Sequence, residues 1–244
     1  MCGAHRSEKI NEIKEKLKNN SPVRVVSTQL VEAGVDFDFP VVYRAVAGLD
    51  SIAQAAGRCN REGKLNIGIV YIFEPEGRPP AGFLRQAGDA GRNLLKQYGE
   101  NSLQLECFDK YFRNLYWMRS EKLDRENIIS LLKNNSALDM RFRTVAEKFH
   151  IIDESAQRPV VVAWKEGAKW IEILKKIGQP ERWLLRKLQR YTVMIPVTVH
   201  EQLLRAHDIS EVHPGIYIQE KTNLYHEELG LCPDYSGIYD AEEL

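Results

Sequence analysis

The run Ile67-Gly68-Ile69-Val70-Tyr71-Ile72-Phe73 is almost wholly apolar, and a second strand-like run, Pro40-Val41-Val42-Tyr43-Arg44-Ala45, precedes it. A strand with one wet face alternates apolar and polar side chains, whereas a strand covered on both faces does not. Runs of this kind separated by helical pattern predict a buried parallel sheet, hence an α/β fold. Arg24 to Ser27 adds a β-branched stretch upstream. From about Ser7 to Asn19 a charged helix pattern places Ile10, Ile13 and Leu17 on one face.

Turn formers crowd Glu74-Pro75-Glu76-Gly77-Arg78-Pro79-Pro80, the clearest linker signal in the chain. Beyond it helical spacing dominates. Leu105, Phe108, Phe112, Leu115 and Met118 form one series, and Phe142, Val145, Ala146 and Phe149 another. Trp170, Ile171, Leu174 and Ile177 form a third, followed by Trp183, Leu184, Leu188 and Tyr191. Pro159 to Ala163 reads as a strand, Val193 to Val197 as a candidate strand interrupted by Pro196, and the stretch from Gly215 as short strands and turns. The expected organisation is an α/β segment over 1–75, a linker and connecting helix over 76–102, and a mostly helical accessory domain over 103–244.

Lysine plus arginine (34) equals aspartate plus glutamate (34), so any nucleic-acid contact must come from local patches rather than a global field. Cys2, Cys59, Cys107 and Cys232 form no C-x-x-C pair, a pattern of reduced thiols rather than a disulfide frame or zinc site. No apolar run approaches a membrane span and the first residues lack a secretory apolar core, so the expectation is a soluble, cytoplasmic chain.

Two segments carry the chemistry. In Val26-Ser27-Thr28-Gln29-Leu30-Val31-Glu32-Ala33-Gly34-Val35-Asp36 a strand runs into a glycine-bearing loop that closes on an aspartate. Gln54-Ala55-Ala56-Gly57-Arg58-Cys59-Asn60-Arg61 reads as a short helix projecting two arginines in one direction. A guanidinium is always charged and forks onto phosphate oxygens, so paired arginines suit a phosphate grip. The first segment has the spacing T-x5-G-x-D, and the second is Q-x-x-G-R-x-x-R.

These segments resemble motifs V and VI of superfamily 2 helicases. The stretch from Val25 to Gly63, with His5-Arg6 before it, is similar to the CRISPR-associated helicase–nuclease of type I interference. The likeness extends more softly to that family's accessory C-terminal domain, most like the type I-C branch. It implies the back half of a RecA-like parallel-sheet domain followed by the accessory domain. It further implies that Arg61 is an arginine finger to the ATP γ-phosphate, with Arg58 supporting the same charge. Gln54, Gly34 and Asp36 would face the nucleotide, and Thr28, His5 and Arg6 would contact single-stranded DNA. The implied cofactor is ATP with Mg2+. The implied partners are single-stranded DNA, the remaining helicase–nuclease half and an RNA-guided surveillance complex, and the implied activity is 3′→5′ translocation in antiviral defence. The sequence has no G-x-x-x-x-G-K-[ST], so the other half of such an ATP site must come from elsewhere. A parallel sheet without its earlier strands is expected to leave an edge and apolar faces uncovered.

Two readings of the chain stay open at this point: a C-terminal portion of that enzyme, and a non-catalytic interaction or single-strand-binding subunit starting at Met1. A general DEAD-box-like RNA helicase fits the wording of the arginine segment less well. Arg182, Arg186 and Arg190 recur at steps of four beside Trp170, Trp183 and Tyr191. There the expectation is buried aromatics and solvated charges, with single-strand stacking as the competing reading. The histidines His150, His200, His207, His213 and His226 show no metal-ligand spacing, and no metal is expected. Asp234, Asp240, Glu242 and Glu243 read as a solvated acidic tail.

Overall fold

The computed structural model describes residues 1–28, 31, 34–77, 79, 81–118, 120, 123–133, 141–150 and 156–233, and the acidic tail lies outside them. The chain forms two compact units, Ile13–Phe149 and a second that joins Met1–Glu12 to His150–Leu244. This division differs from the sequence boundaries because the first residues of helix α1 (Gly3–Lys18) are buried within the second unit.

In the unit Ile13–Phe149, strands β1 (Val41–Ala45) and β2 (Ile69–Phe73) pair in parallel, in register from Val41 opposite Ile69 to Ala45 opposite Phe73. Helix α2 (Leu49–Ala56) lies between them in sequence and buries Leu49, Ile52 and Ala55 on one face. The expected burial of both sheet faces is not what the strands show. Val41, Tyr43, Ile69, Tyr71 and Phe73 share an exposed face, where the Tyr43 and Tyr71 rings stack at 4.9 Å. Arg24–Ser27 joins no ladder, and Val26 is fully exposed at 102%. A β-branched run is a strand only where a neighbour accepts its backbone bonds.

Glu74, in the predicted linker, is held by two bonds from Arg92, at 2.6 Å and 3.0 Å. Arg78 and Pro80 of that linker are outside the described residues. Helix α3 (Phe83–Tyr98), expected as a connector, is instead a core element. Its Ala87, Ala90 and Leu94 pack with Leu49 and with Cys107, Tyr111 and Leu115 of α4 (Leu105–Trp117). The short helices α5 (Ile128–Leu132) and α6 (Phe142–Lys148) follow. Asp124 caps α5, accepting the Ile128 and Ile129 N–H bonds at 2.6 Å and 3.0 Å.

The other unit is built on a four-stranded mixed sheet of order β4-β3-β6-β5. Its strands are β3 (Gln157–Val161), β4 (Thr192–Pro196), β5 (Ile209–His213) and β6 (Ile216–Gln219). Neighbouring side chains on a strand point to opposite faces, and the two cores follow from that alternation. Val161 and Ile218 pack with Ile171 and Leu174 of α7 (Glu166–Lys176) and with Leu184 and Leu188 of α8 (Arg182–Gln189). Val160, Ile195 and Ile209 pack with Leu203 of α9 (Val197–Arg205) and with Leu224. A small hairpin of β7 (Tyr225–His226) and β8 (Gly230–Leu231) completes the unit.

Candidate functional site: the paired aspartate and arginine loops

The two motif segments meet in the unit Ile13–Phe149. Val35 and Phe37 are buried and Asp36 between them is exposed, the alternation of an extended segment on a packed surface. Phe39 then pairs with Cys59 as an isolated parallel bridge. The Phe39 N–H donates to the Arg58 carbonyl at 2.9 Å, and the Asn60 N–H donates to the Phe39 carbonyl at 2.8 Å. Side chains extend this lacing. Arg61 forms an ion pair with Asp36, Lys64 reaches Asp38 at 3.8 Å, and the Glu62 N–H donates to Asp38 at 3.4 Å.

The arginines are not on the helix. Helix α2 ends at Ala56, Gly57 caps it, and Arg58 to Arg61 form the turn that follows. A turn can aim successive side chains independently, which a single helical face cannot. Asn60 shapes it by adopting a left-handed conformation (φ 52° is seen at Asn20, φ 48° here). Its carboxamide donates to the Leu65 carbonyl at 2.7 Å and accepts the Leu65 N–H at 2.9 Å. Gly68 is needed beside it, since a Cβ there would come within 2.9 Å of Asn60 Cβ and 3.0 Å of Cys59 Sγ. Asp38, Asn60, Lys64 and Gly68 were not singled out from sequence. The only signal for them was the clustering of Asn and Gly around the arginines.

Gln54 and Thr28 are exposed, Arg58 is half-buried, and Gly34 adopts φ 75° with open space where a side chain would lie. Lys64 holds its proton more tightly than usual through its bond to Glu62 and the nearby Asp38 charge. Asp36 and Arg61 are 74% and 41% exposed, and such a pair contributes at most about 1 kcal/mol. Arg61 is therefore held in place by a partner that an incoming phosphate can replace at little cost.

His5 and Arg6 belong to the other unit. Arg6 is exposed, but His5 is fully buried and does not sit where a strand could touch it. Its ring stacks on Trp164 at 3.9 Å, and its Nδ1 lies 3.0 Å from the Tyr225 hydroxyl, which also accepts the Cys2 N–H at 2.9 Å. Burial lowers the His5 pKa and raises that of Tyr225. A histidine between Ala4 and Arg6 gives no sequence signal that separates a core ring from a surface contact. Among the described residues no three His, Cys, Asp or Glu side chains are grouped to hold a metal, and no helix is long and apolar enough to cross a membrane.

The two motif segments and the mixed α/β fold are similar to the C-terminal region of known helicase chains. The relationship is to Cas3. Residues 1–64 match the family described as CRISPR-associated nuclease/helicase Cas3, C-terminal. The CRISPR-associated nuclease/helicase Cas3 of Haloferax volcanii is 41% identical over 157 residues, covering 54% of this chain and 17% of that protein. The Cas3 of Methanothermobacter thermautotrophicus is 24% identical over 151 residues, covering 59% of this chain and 18% of that protein. The crystal structure of T. fusca Cas3-ATP has the same fold over 89% of this chain and 31% of its own, with a TM-score of 0.55 at 16% identity. A second T. fusca Cas3 structure gives a TM-score of 0.51. The chain is similar to the C-terminal part of Cas3 and spans less than a fifth of the curated relatives it matches.

Proposed function

We propose that this chain supplies one side of an ATP site, together with strand contacts, to an ATP-dependent DNA helicase coupled to nuclease action in CRISPR defence. The observation that carries the proposal is the Arg61–Asp36 pair, which joins the two motif loops at an exposed surface. The residues fit one flank of a triphosphate site. Arg61 is a replaceable cation, Arg58 is a second arginine three residues before it in the same turn, and Gly34 has nothing within 4 Å of where a side chain would lie. ATP with Mg2+ would supply the phosphoryl group transferred to water. Arg61 would move from Asp36 to that group and neutralise charge developing on it, while Asp36 and Gln54 would orient the nucleotide. Thr28 and Arg6 are the proposed strand contacts, and His5 is left out because it is buried. The proposed partners are the remainder of a longer helicase–nuclease, single-stranded DNA and a surveillance complex, with 3′→5′ movement.

The test is Arg61→Ala in the full-length protein. DNA-stimulated ATP hydrolysis should fall on the order of a thousandfold, the scale of a lost arginine finger. Arg61→Lys should recover little, because an ammonium cannot fork onto two oxygens. Unchanged turnover in Arg61→Ala would overturn the assignment.

A further inference from the structure

Helices α7 and α8 carry a cationic and aromatic surface well outside residues 1–64. Trp183 was expected in the core, yet it is 48% exposed. It meets Trp170 edge to face at 6.2 Å, and Lys169 and Lys187 stand over the Trp170 ring at 5.3 Å and 6.0 Å. Along α8 and its cap residue Arg190, the residues Trp183, Arg186, Lys187 and Arg190 recur at the spacing of one helix face, while Leu184 and Leu188 are buried on the other. Arg182 and Lys176 are exposed as well.

The pairing state of these cations is informative. Nearby, Lys165 is paired with Glu8, and Lys175 with Glu220 at 3.1 Å. Lys169, Lys176, Arg182, Arg186, Lys187 and Arg190 form no ion pair among the described residues. The nearby acids Glu166, Glu172 and Glu181 offset only part of the charge of these six cations. Glu166 accepts a bond from Tyr191, Glu181 accepts the Trp183 indole N–H at 3.0 Å, and Glu172 is exposed. In a chain of formal net charge +0, this leaves a local excess of cations without carboxylate partners around an exposed indole.

We infer that this surface is a second nucleic-acid site, one that binds a single strand through its phosphates and an unstacked base. Unpaired arginines fork onto phosphate oxygens, and an exposed indole offers a base a stacking face. An acidic peptide would use the cations and leave the indole idle. A duplex would offer phosphates but keep its bases stacked. The inference goes beyond the proposed ATP site and does not depend on Arg61.

The experiment is equilibrium binding of a fluorescent oligothymidylate of about 20 nucleotides, longer than one ~4–16 nucleotide site, to the 244-residue chain without nucleotide. Trp183→Ala should weaken binding about tenfold, the scale of one base–aromatic stack. Arg186→Gln with Lys187→Gln should lower the slope of log affinity against log salt by about 1.4, at about 0.7 per phosphate contact on a single strand. Thermal melts identify any variant that fails to fold, and the double variant then decides. Arg61→Ala should leave the Trp183 effect intact, so failure of the ATP reading and of this one are separable. Equal binding of duplex or of oligoglutamate, or no loss in either variant, would overturn the inference.

Discussion

Two alanine substitutions three residues apart on α3 should shift stability in opposite directions. A Cβ at Gly91 would lie 2.3 Å from the Ala47 carbonyl oxygen and 3.3 Å from the Leu49 nitrogen. Heavy atoms in contact prefer about 3.5–4.0 Å, so backbone must move by roughly 1 Å. The backbone that must yield leads into Leu49 and Ile52, both fully buried, and has little room to move. Glycine to alanine in a helix contributes about 1 kcal/mol, while overpacking a close contact costs about 1–3 kcal/mol and sometimes more. Gly91→Ala should therefore lose about 1–2 kcal/mol net. At Gly88 the nearest atom to a Cβ is Ala47 Cα at 3.9 Å, an ordinary contact. Gly88→Ala should gain up to about 1 kcal/mol from helix propensity alone. Urea unfolding followed by circular dichroism measures both midpoints, and an unchanged m-value confirms that only stability moved. A Gly91→Ala midpoint at or above that of the parent, or the same shift in both variants, would refute the packing argument.

Burial lowers the pKa of both His5 and His200, so the unfolded chain takes up their protons first. Their contribution is complete above the ordinary histidine value of about 6.5 and is lost as pH falls through it towards the folded values. The melting temperature should be lower at about pH 5.5 than at about pH 7.5, and His5→Gln should narrow that difference. Tyr225→Phe removes the hydroxyl shared by Cys2 and His5 and should cost about 1–2 kcal/mol in the same unfolding assay. Asp36→Asn should change stability by less than about 1 kcal/mol, because the pair it breaks is exposed; a larger loss would make Asp36 a structural residue.

The sequence made the parallel pair legible because Ile69–Phe73 is continuously apolar or aromatic and Val41–Ala45 is broken only by Arg44. It also made α4, α7 and α8 legible, since their buried residues recur at helical spacing. Exposure was harder to read. Tyr43, Tyr71 and Trp183 look like core residues in a one-dimensional pattern, and only tertiary neighbours decide whether they are covered. Strand β5 was missed because Ile209-Ser210-Glu211-Val212-His213 is short and half polar, and its place depends on pairing with β6. For the candidate site, the spacing of Thr28, Gly34, Asp36, Gln54, Arg58 and Arg61 was visible, but the end of α2 at Gly57 was not. That boundary turns a helical arginine face into a turn. The burial of His5 was equally hidden, because Trp164 and Tyr225 are far from it in sequence.

The discontinuity of the unit containing Met1–Glu12 sets an order of events during synthesis. Roughly 140 residues separate Glu12 from His150, and a ribosome adds about 5–20 residues per second, so the first segment waits about 7–30 s for its partners. Cys2 and His5 meet Trp164 and Tyr225, their neighbours in the finished unit, only after that interval. Slow codons or a stalled ribosome before Trp164 would lengthen the exposure of the Cys2 thiol, which in the finished unit is sealed from oxidants.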